Sequence, residues 1–387
     1  MRKLYKAALV LLASLLVILG IASYVVSTTP CSDGILPSDI ARSVKAISID
    51  DTWELAPEDD RAAVPVMGRE PTRKDQYYYL YLVDFRDCDA LPIVVRGADY
   101  PAWSSDGKLV AFSRDTHKLL CNTVTTHRIE VYSCQEKTIS CFGDGFADRS
   151  AAWQPGVGKL AFARKTFSLT DNSSSGWVMV GSMSGEPRRT GPTYVAVQKL
   201  KWRPGGNQIA LIGVTALAGA RPGQPRVTDL YMLDAADNHA KKITVSGDVQ
   251  PYSLDWSPDG RLLVFTTGRG SSRILKAWNA TTGATSVILR AEDVGNVGRI
   301  GSARWSPRGN AIIFDVWKYE SGGPTNIAML EWPQLRSVML THDGKSRAPR
   351  WSSDGERVFY IQNDTSIWVM NRDGTHAEKV YALPNPN

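Results

Sequence analysis

The sequence predicts an all-β protein in which one four-stranded antiparallel sheet is repeated round a ring, carried behind an N-terminal membrane helix. Three observations carry the prediction. Trp recurs six times at near-constant spacing, each Trp is followed at a fixed distance by a strand apolar on both faces, and an uncharged run of 20 residues opens the chain. The composition agrees with a folded body. Of 387 residues, 43% are hydrophobic and 22% charged, which excludes a disordered or collagenous chain.

The opening run occupies residues 7–26 and follows Arg2, Lys3 and Lys6. As a helix it extends roughly 30 Å, the thickness of the hydrocarbon core of a bilayer. Its basic flank stays in the cytoplasm, so the rest of the chain faces outward. The expected organisation is a signal-anchor transmembrane segment over 1–27, a linker over 28–41 and the repeated domain over 42–384. The protein is thus expected to be exported and anchored in the cytoplasmic membrane, its body facing the periplasm or the outside. The alternative is secretion after cleavage near Ala22-Ser23 or Ser27-Thr28-Thr29. Half of the formal net charge of +6 sits in the basic flank. The remainder is too balanced for a dedicated nucleic-acid binder.

The repeated residues are Trp103, Trp153, Trp202, Trp256, Trp305 and Trp351, at intervals of 50, 49, 54, 49 and 46. Nine residues after each stands Phe112, Phe162, Leu211, Phe265, Phe314 or Tyr360, and two before that Val110, Leu160, Ile209, Leu263, Ile312 or Val358. The position between holds Ala111, Ala161, Ala210, Val264, Ile313 or Phe359. A short run of this kind is a strand covered on both sides. The link from Trp to strand reads WSSDG, WQPGV, WRPGG, WSPDG, WSPRG and WSSDG. Pro presets φ, Asp bonds its own downstream backbone and Gly takes a positive φ, so these are hairpin turns rather than metal loops.

Each repeat continues into a second hairpin, clearest at 128–142, 229–244 and 366–380. Two hairpins make a four-stranded sheet. A sheet apolar on both faces has to stack radially on its neighbours, which is a β-propeller. The six Trp are expected in the packing between blades. An outer hairpin at 77–95 precedes the first Trp; with inner strands from Ser43–Pro57, where SVKAISID reads as a strand, it completes a degenerate seventh blade and leaves 57–76 as a surface loop, the alternative being a six-bladed ring.

The repeat resembles the TolB-type β-propeller, a relative of WD-type repeats. Its carriers are Trp256-Ser257-Pro258-Asp259-Gly260, the apolar strand ending in Phe265, and Ile367-Trp368-Val369-Met370-Asn371-Arg372-Asp373-Gly374. The resemblance spans about residues 77–380. It implies the fold and leaves the function open, since propellers host many activities. TolB resembles a separate small domain followed by six blades, and about 50 residues stand here between residue 26 and the first hairpin. A role in the Tol system is therefore not expected.

No Gly-x-Ser-x-Gly, His-Glu-x-x-His or phosphate-binding Gly-rich loop is present, and Gly295, Gly298 and Gly301 are read as loop glycines. The sequence reading is a non-catalytic, extracytoplasmic scaffold that binds a protein or ligand. The alternative is a propeller-type glycan hydrolase or lyase with its active site in the central channel. No cofactor is expected and no metal: no Cys-x-x-Cys occurs and the five His are scattered. Of the five cysteines, Cys134 and Cys141 are expected to pair across a hairpin turning at Lys137-Thr138, Cys31 to pair with Cys88, and Cys121 to stay free.

Strand parity supplies the expected binding surface. The innermost strand of each blade ends at Trp, so residues one and three before Trp face the channel. Those positions hold Tyr100 and Ala102, Ser150 and Ala152, Lys199 and Lys201, Ser253 and Asp255, Ser302 and Arg304, Ala348 and Arg350. Lys201, Arg304 and Arg350, helped by Lys199, are expected to hold an anionic partner, a carboxylate-bearing peptide or acidic glycan. The alternative is a water-filled channel in which they pair internally with Asp255.

Overall fold

The computed structural model describes residues 35–71, 76–87, 91–115, 127–142, 147–167, 174–216, 226–268, 273–295, 298–319 and 322–384. These residues form seven antiparallel sheets, each cut from one continuous stretch: 45–96, 98–142, 148–194, 196–242, 249–290, 299–339 and 346–382. They are numbered here as blades 1 to 7. From blade 1 to blade 7 the first strand of each sheet touches the first strand of the next, which places the first strands round the centre of the ring. The degenerate seventh blade anticipated from the sequence is blade 1.

In blade 1 the first strand is broken into Lys45–Ile49 and Glu54–Leu55, both paired to Arg61–Arg69. That second strand corrects the expectation of a surface loop over 57–76. Ala62, Ala63, Val64 and Val66 are fully buried. Pro65 hides the strand from a sequence reading, because proline removes a ladder donor. Here the Pro65 carbonyl accepts from Asp50 N at 2.8 Å, and the N–H and C=O of a strand residue point to the same side. The missing donor therefore faces the turn between the two halves of the first strand, where no ladder continues.

Seven hydrophobic clusters fill the seven seams, one for each pair of adjacent blades. The alternation of the second strand builds them. Leu263 and Phe265 pack with Trp256 against Ala210 and Ile212 of blade 4, while Val264 between them faces Trp305 of blade 6. Trp153, Trp202, Trp256, Trp305 and Trp351 are all buried in these seams, and Trp103 is half-buried against blade 1. Blade 1 has Leu55 in the register that Trp occupies elsewhere. Blade 7 meets it with Phe359 where blade 2 has Ala111, and Trp53 lies fully buried in the same seam.

Among the described residues no strand is shared between blades 7 and 1. Their seam is closed by Ile49 N donating to Asp364 O at 2.7 Å, Trp53 Nε1 to Ala348 O at 3.0 Å and Arg350 Nη2 to Asp51 O at 2.9 Å. The short helix Ser38–Ser43 docks on the same seam through Ala41, with Leu36 beside it, and Ile35 bridges to Val95. Residues 35–41, expected in the linker, thus belong to the packed body. Among the described residues no helix is long and apolar enough to cross a membrane. The anchor expected at 1–27 lies outside the described residues.

Blade 2 corrects one disulfide. Its outer ladder pairs Ser133 with Thr138 and Glu130 with Cys141. The turn therefore lies at 134–137, centred two residues earlier than the expected Lys137-Thr138. Cys134 sits in that turn as a free, half-buried thiol, whereas Cys141 stands opposite Glu130 and is disulfide-bonded. The Cys134–Cys141 pairing is excluded by this register. Cys31, Cys88 and Cys121 lie outside the described residues.

Candidate binding site in the central channel

Ladder register identifies the channel positions. Each repeated Trp pairs with the residue seven places later. In blade 1 the same rung is Leu55 with Ala62, and Glu54 pairs with Ala63. Glu54 is therefore the counterpart of Ala102, Ala152, Lys201, Asp255, Arg304 and Arg350. The sequence reading missed it, because blade 1 has no Trp in register from which to count.

These side chains converge from distant parts of the chain. Arg304 Nη2 donates to Glu54 Oε1 at 3.2 Å, and Arg350 Nε lies 3.4 Å from Glu54 Oε2 in an ion pair without hydrogen-bond alignment. Lys201 Nζ donates to Asp255 Oδ1 at 2.8 Å, and Asp255 Oδ2 accepts from Trp305 N at 2.8 Å. Lys199 and Lys201 of blade 4 also act on Glu54 of blade 1. Only the axis of the ring brings blades 1, 4, 6 and 7 together.

Electrostatics follow from this convergence. Burial opposes the charge on Glu54, but Arg350, Arg304, Lys201 and Lys199 outweigh it and hold the carboxyl below its usual range. Burial, reinforced by Arg304 and Lys201, drops Lys199 well below the usual ammonium range. Arg350 is lowered to about 10 by burial, against the pull of Glu54. The six groups number four bases and two acids, so the cluster carries surplus positive charge.

The bases differ in what they have left to offer. Arg350 donates to the carbonyls of Pro349, Asp51 and Trp53, and its guanidinium lies 5.3 Å from the centre of the Trp53 ring. Its fork is used on ring closure. Lys201 realises the internal pairing with Asp255. Arg304 is 8% exposed, and while Nη2 meets Glu54, Nε and Nη1 have no hydrogen-bond partner. Buried donors left unmade are destabilising by about 1–3 kcal/mol each, more for charged groups.

Parity holds at the residue before Trp and fails two residues earlier. Tyr100, Ser150 and Ala348 take φ of 49°, 55° and 50° within a bulge of the first strand. A bulge re-aims the side chain, and Ala348 is buried in the seam with blade 1. Lys199 keeps the channel side, two rungs from Lys201. Ala102 and Ala152 leave blades 2 and 3 without charge here, so the charged groups reach the axis from the rest of the ring. Among the described residues no group of three or more His, Cys, Asp or Glu is placed to hold a metal ion.

No protein-family model matches the chain, and comparison with curated proteins finds no match. Solved structures resemble it in shape. The β-propeller domain of the Trilobed protease from Pyrococcus furiosus, described as having an open velcro topology, superposes with a TM-score of 0.61 at 12% identity, over 88% of this chain and 99% of that one. Uncomplexed acylaminoacyl peptidase from Pyrococcus horikoshii gives 0.60 at 13% identity, over 88% of this chain and 53% of that one. An oligogalacturonate lyase in complex with manganese gives 0.57 at 11% identity, over 83% and 88%. Likeness at such identities establishes the fold alone, and with the seven sheets described above it identifies the chain as a seven-bladed β-propeller.

Proposed function

We propose that this protein is a non-catalytic recognition propeller of TolB-like build, displayed outside the cytoplasmic membrane, whose channel holds an anionic group of a peptide or acidic glycan. Arg304 carries the reading. It is a buried guanidinium with two unmet donors, set in a cluster with more bases than acids. A ligand carboxylate is a charge-assisted acceptor for either of these donors. Lys201, 36% exposed at its side chain, adds a second charge from blade 4. Both channel carboxylates are engaged by bases, and Glu54 is held ionised. That state suits charge partners and not a general acid, which has to keep a proton near neutral pH. Binding is therefore favoured over the hydrolase or lyase reading. Display outside the membrane rests on the uncharged run at residues 7–26.

Calorimetry on the full-length protein tests the proposal, with poly-glutamate and oligogalacturonate as probes. Binding is expected to weaken with added salt and to fall about tenfold or more in Arg304→Gln, the loss of one charge-assisted contact. Binding that ignores both salt and the substitution removes the proposal. New reducing ends or unsaturated products from the glycan would instead restore the enzyme reading.

A further inference from the structure

A pocket of about 450 Å³ opens off the channel rim, lined by residues of blades 1, 2 and 3. Its chemistry is the reverse of the channel cluster. Asp50, Asp99 and Asp115 line it against one guanidinium, that of Arg149. Arg149 Nη2 lies 2.8 Å from His127 Nε2. A guanidinium can only donate, so that nitrogen is the acceptor. Tyr77, Tyr78 and Tyr100 supply aromatic faces.

The three carboxylates are not equivalent. Asp50 Oδ1 accepts from Thr52 N and Thr52 Oγ1 at 2.9 and 2.6 Å, and Oδ2 from the Tyr78 hydroxyl at 3.4 Å. Asp99 is nine-tenths buried, lines the pocket, and has no partner for Oδ1. An ionised carboxylate in that position lacks the donor that burial demands. Arg149 faces Asp99 without satisfying Oδ1, and carries its charge over the Tyr100 ring at 6.0 Å.

We infer that this pocket binds an organic cation, a protonated amine or guanidinium, whose N–H groups reach Asp99 and Asp50 between the tyrosine rings. Carboxylates and aromatic faces are the two features that recognise such a cation. The volume accommodates a whole basic side chain. Burial raises Asp99 to about 7, against Arg149, with Asp50 and Asp115 adding to the rise. Around neutral pH the free pocket therefore holds Asp99 partly protonated. Cation binding completes its ionisation, and the carboxyl proton passes to the buffer. The site is independent of the channel anion site and takes the opposite charge.

The test is calorimetry on the full-length protein with L-arginine methyl ester, and N-acetylglutamate as the anionic control. Affinity for the ester is expected to be about tenfold higher at pH 8 than at pH 6, as a carboxyl titrating near 7 implies. Near pH 7 the heat should differ between phosphate and Tris buffers in the sense of proton release. Asp99→Asn should weaken binding at pH 8 at least tenfold and flatten the pH profile, while Arg304→Gln leaves both unchanged. No binding of the ester at millimolar concentration, preference for the anion, buffer-independent heat, or wild-type affinity in Asp99→Asn would each overturn the inference. If Asp99→Asn does not fold, the buffer dependence of the wild-type protein decides alone.

Discussion

Trp53 Nε1 donates to the carbonyl of Ala348 at 3.0 Å, joining residues 295 positions apart. It is the closing bond of a series that runs round the ring. Trp103, Trp153, Trp202 and Trp351 each donate their indole hydrogen to the channel residue of the preceding blade, the carbonyls of Glu54, Ala102, Ala152 and Arg304, at 3.0 to 3.2 Å. Blade 1 has no Trp in that register, and Trp53 takes over from two residues upstream. Closure of blade 7 on blade 1 rests on it, on Arg350, on the Ile49–Asp364 backbone bond and on apolar packing, since among the described residues no shared strand joins the two sheets. Trp53→Phe should lower stability by about 0.5–1.5 kcal/mol, the loss of one hydrogen bond, since the Ala348 carbonyl also accepts from Arg350 Nη1 at 3.4 Å. Trp53→Ala should lower it by about 3–5 kcal/mol. Urea unfolding measures both, and hydrogen exchange should show the extra opening confined to blades 1 and 7.

Within the repeat, the indoles can be compared directly. Trp256 and Trp202 are buried alike, but Trp202 Nε1 donates to Ala152 O while Trp256 Nε1 has no partner. Replacement by Phe should therefore be about 1 kcal/mol more harmful at Trp202 than at Trp256. Equal losses in paired unfolding curves would mean that these hydrogen bonds contribute nothing measurable. Trp256→Ala removes the whole ring from the seam and should cost about 3–5 kcal/mol.

Gly301 is required by its neighbour. A Cβ at this position would stand 2.1 Å from Asp315 Oδ1. Asp315 is itself buried, between blades 6 and 7, and burial raises its carboxyl above the usual range. Gly301→Ala should destabilise by about 1–3 kcal/mol through overpacking, and Asp315→Ala in the same chain should relieve the clash. A thermal melt of the double variant no better than that of Gly301→Ala would refute the steric explanation.

Glu54 links acid stability to the channel. Its carboxyl is depressed in the folded protein, so its contribution is fully present above the unfolded value near 4.3 and is lost as pH falls through the lower folded value. Glu54→Gln should lower stability at pH 7 by about 1–3 kcal/mol, because Arg304 and Arg350 lose their partner. The gap between wild type and variant should close on acidification below about pH 4. Melting temperatures taken between pH 3 and 7 test the sign. A gap that is constant across that range would show that Glu54 is not ionised in the folded state.

Asp99 behaves in the opposite sense. With its folded value raised to about 7, its contribution is greatest below the unfolded value near 3.9 and declines as pH rises through 7. Asp99→Asn should therefore be more stable than wild type at pH 8, on the order of 4 kcal/mol, and lose that advantage near pH 4. Differential scanning calorimetry at the two pH values would detect the crossover.

The blade repeat is legible in the sequence because it is local. Trp, turn and second strand lie within about ten residues, and their apolar alternation records which seam each side chain enters. The turn chemistry is equally local: Ser104 Oγ donates to Asp106 Oδ1 at 2.6 Å, and Ser257 and Ser352 do the same to Asp259 and Asp354. Blade 1 was only half legible, since Pro65 disguises its second strand and Leu55 replaces the Trp that sets the register. The error in the blade 2 hairpin was one of turn placement. Moving the turn back by two residues places Cys134 in it and shifts the partner of Cys141 by four residues, to Glu130.

Sequence alone determined that this protein is a ring of four-stranded blades, because every blade is folded from neighbouring residues and its periodicity is written in contiguous chain. It also determined that Lys201, Asp255, Arg304 and Arg350 share one channel position. Only the tertiary structure decided what those charges do. Arg350 turns to ring closure, Lys201 to Asp255, and Arg304 to a Glu54 that lies 250 positions away. The rim pocket round Asp99 likewise exists only where three blades meet. Contacts at the axis and rim of a ring join residues from different turns of the repeat, and the local alternation that encodes a blade carries no record of what stands across the channel.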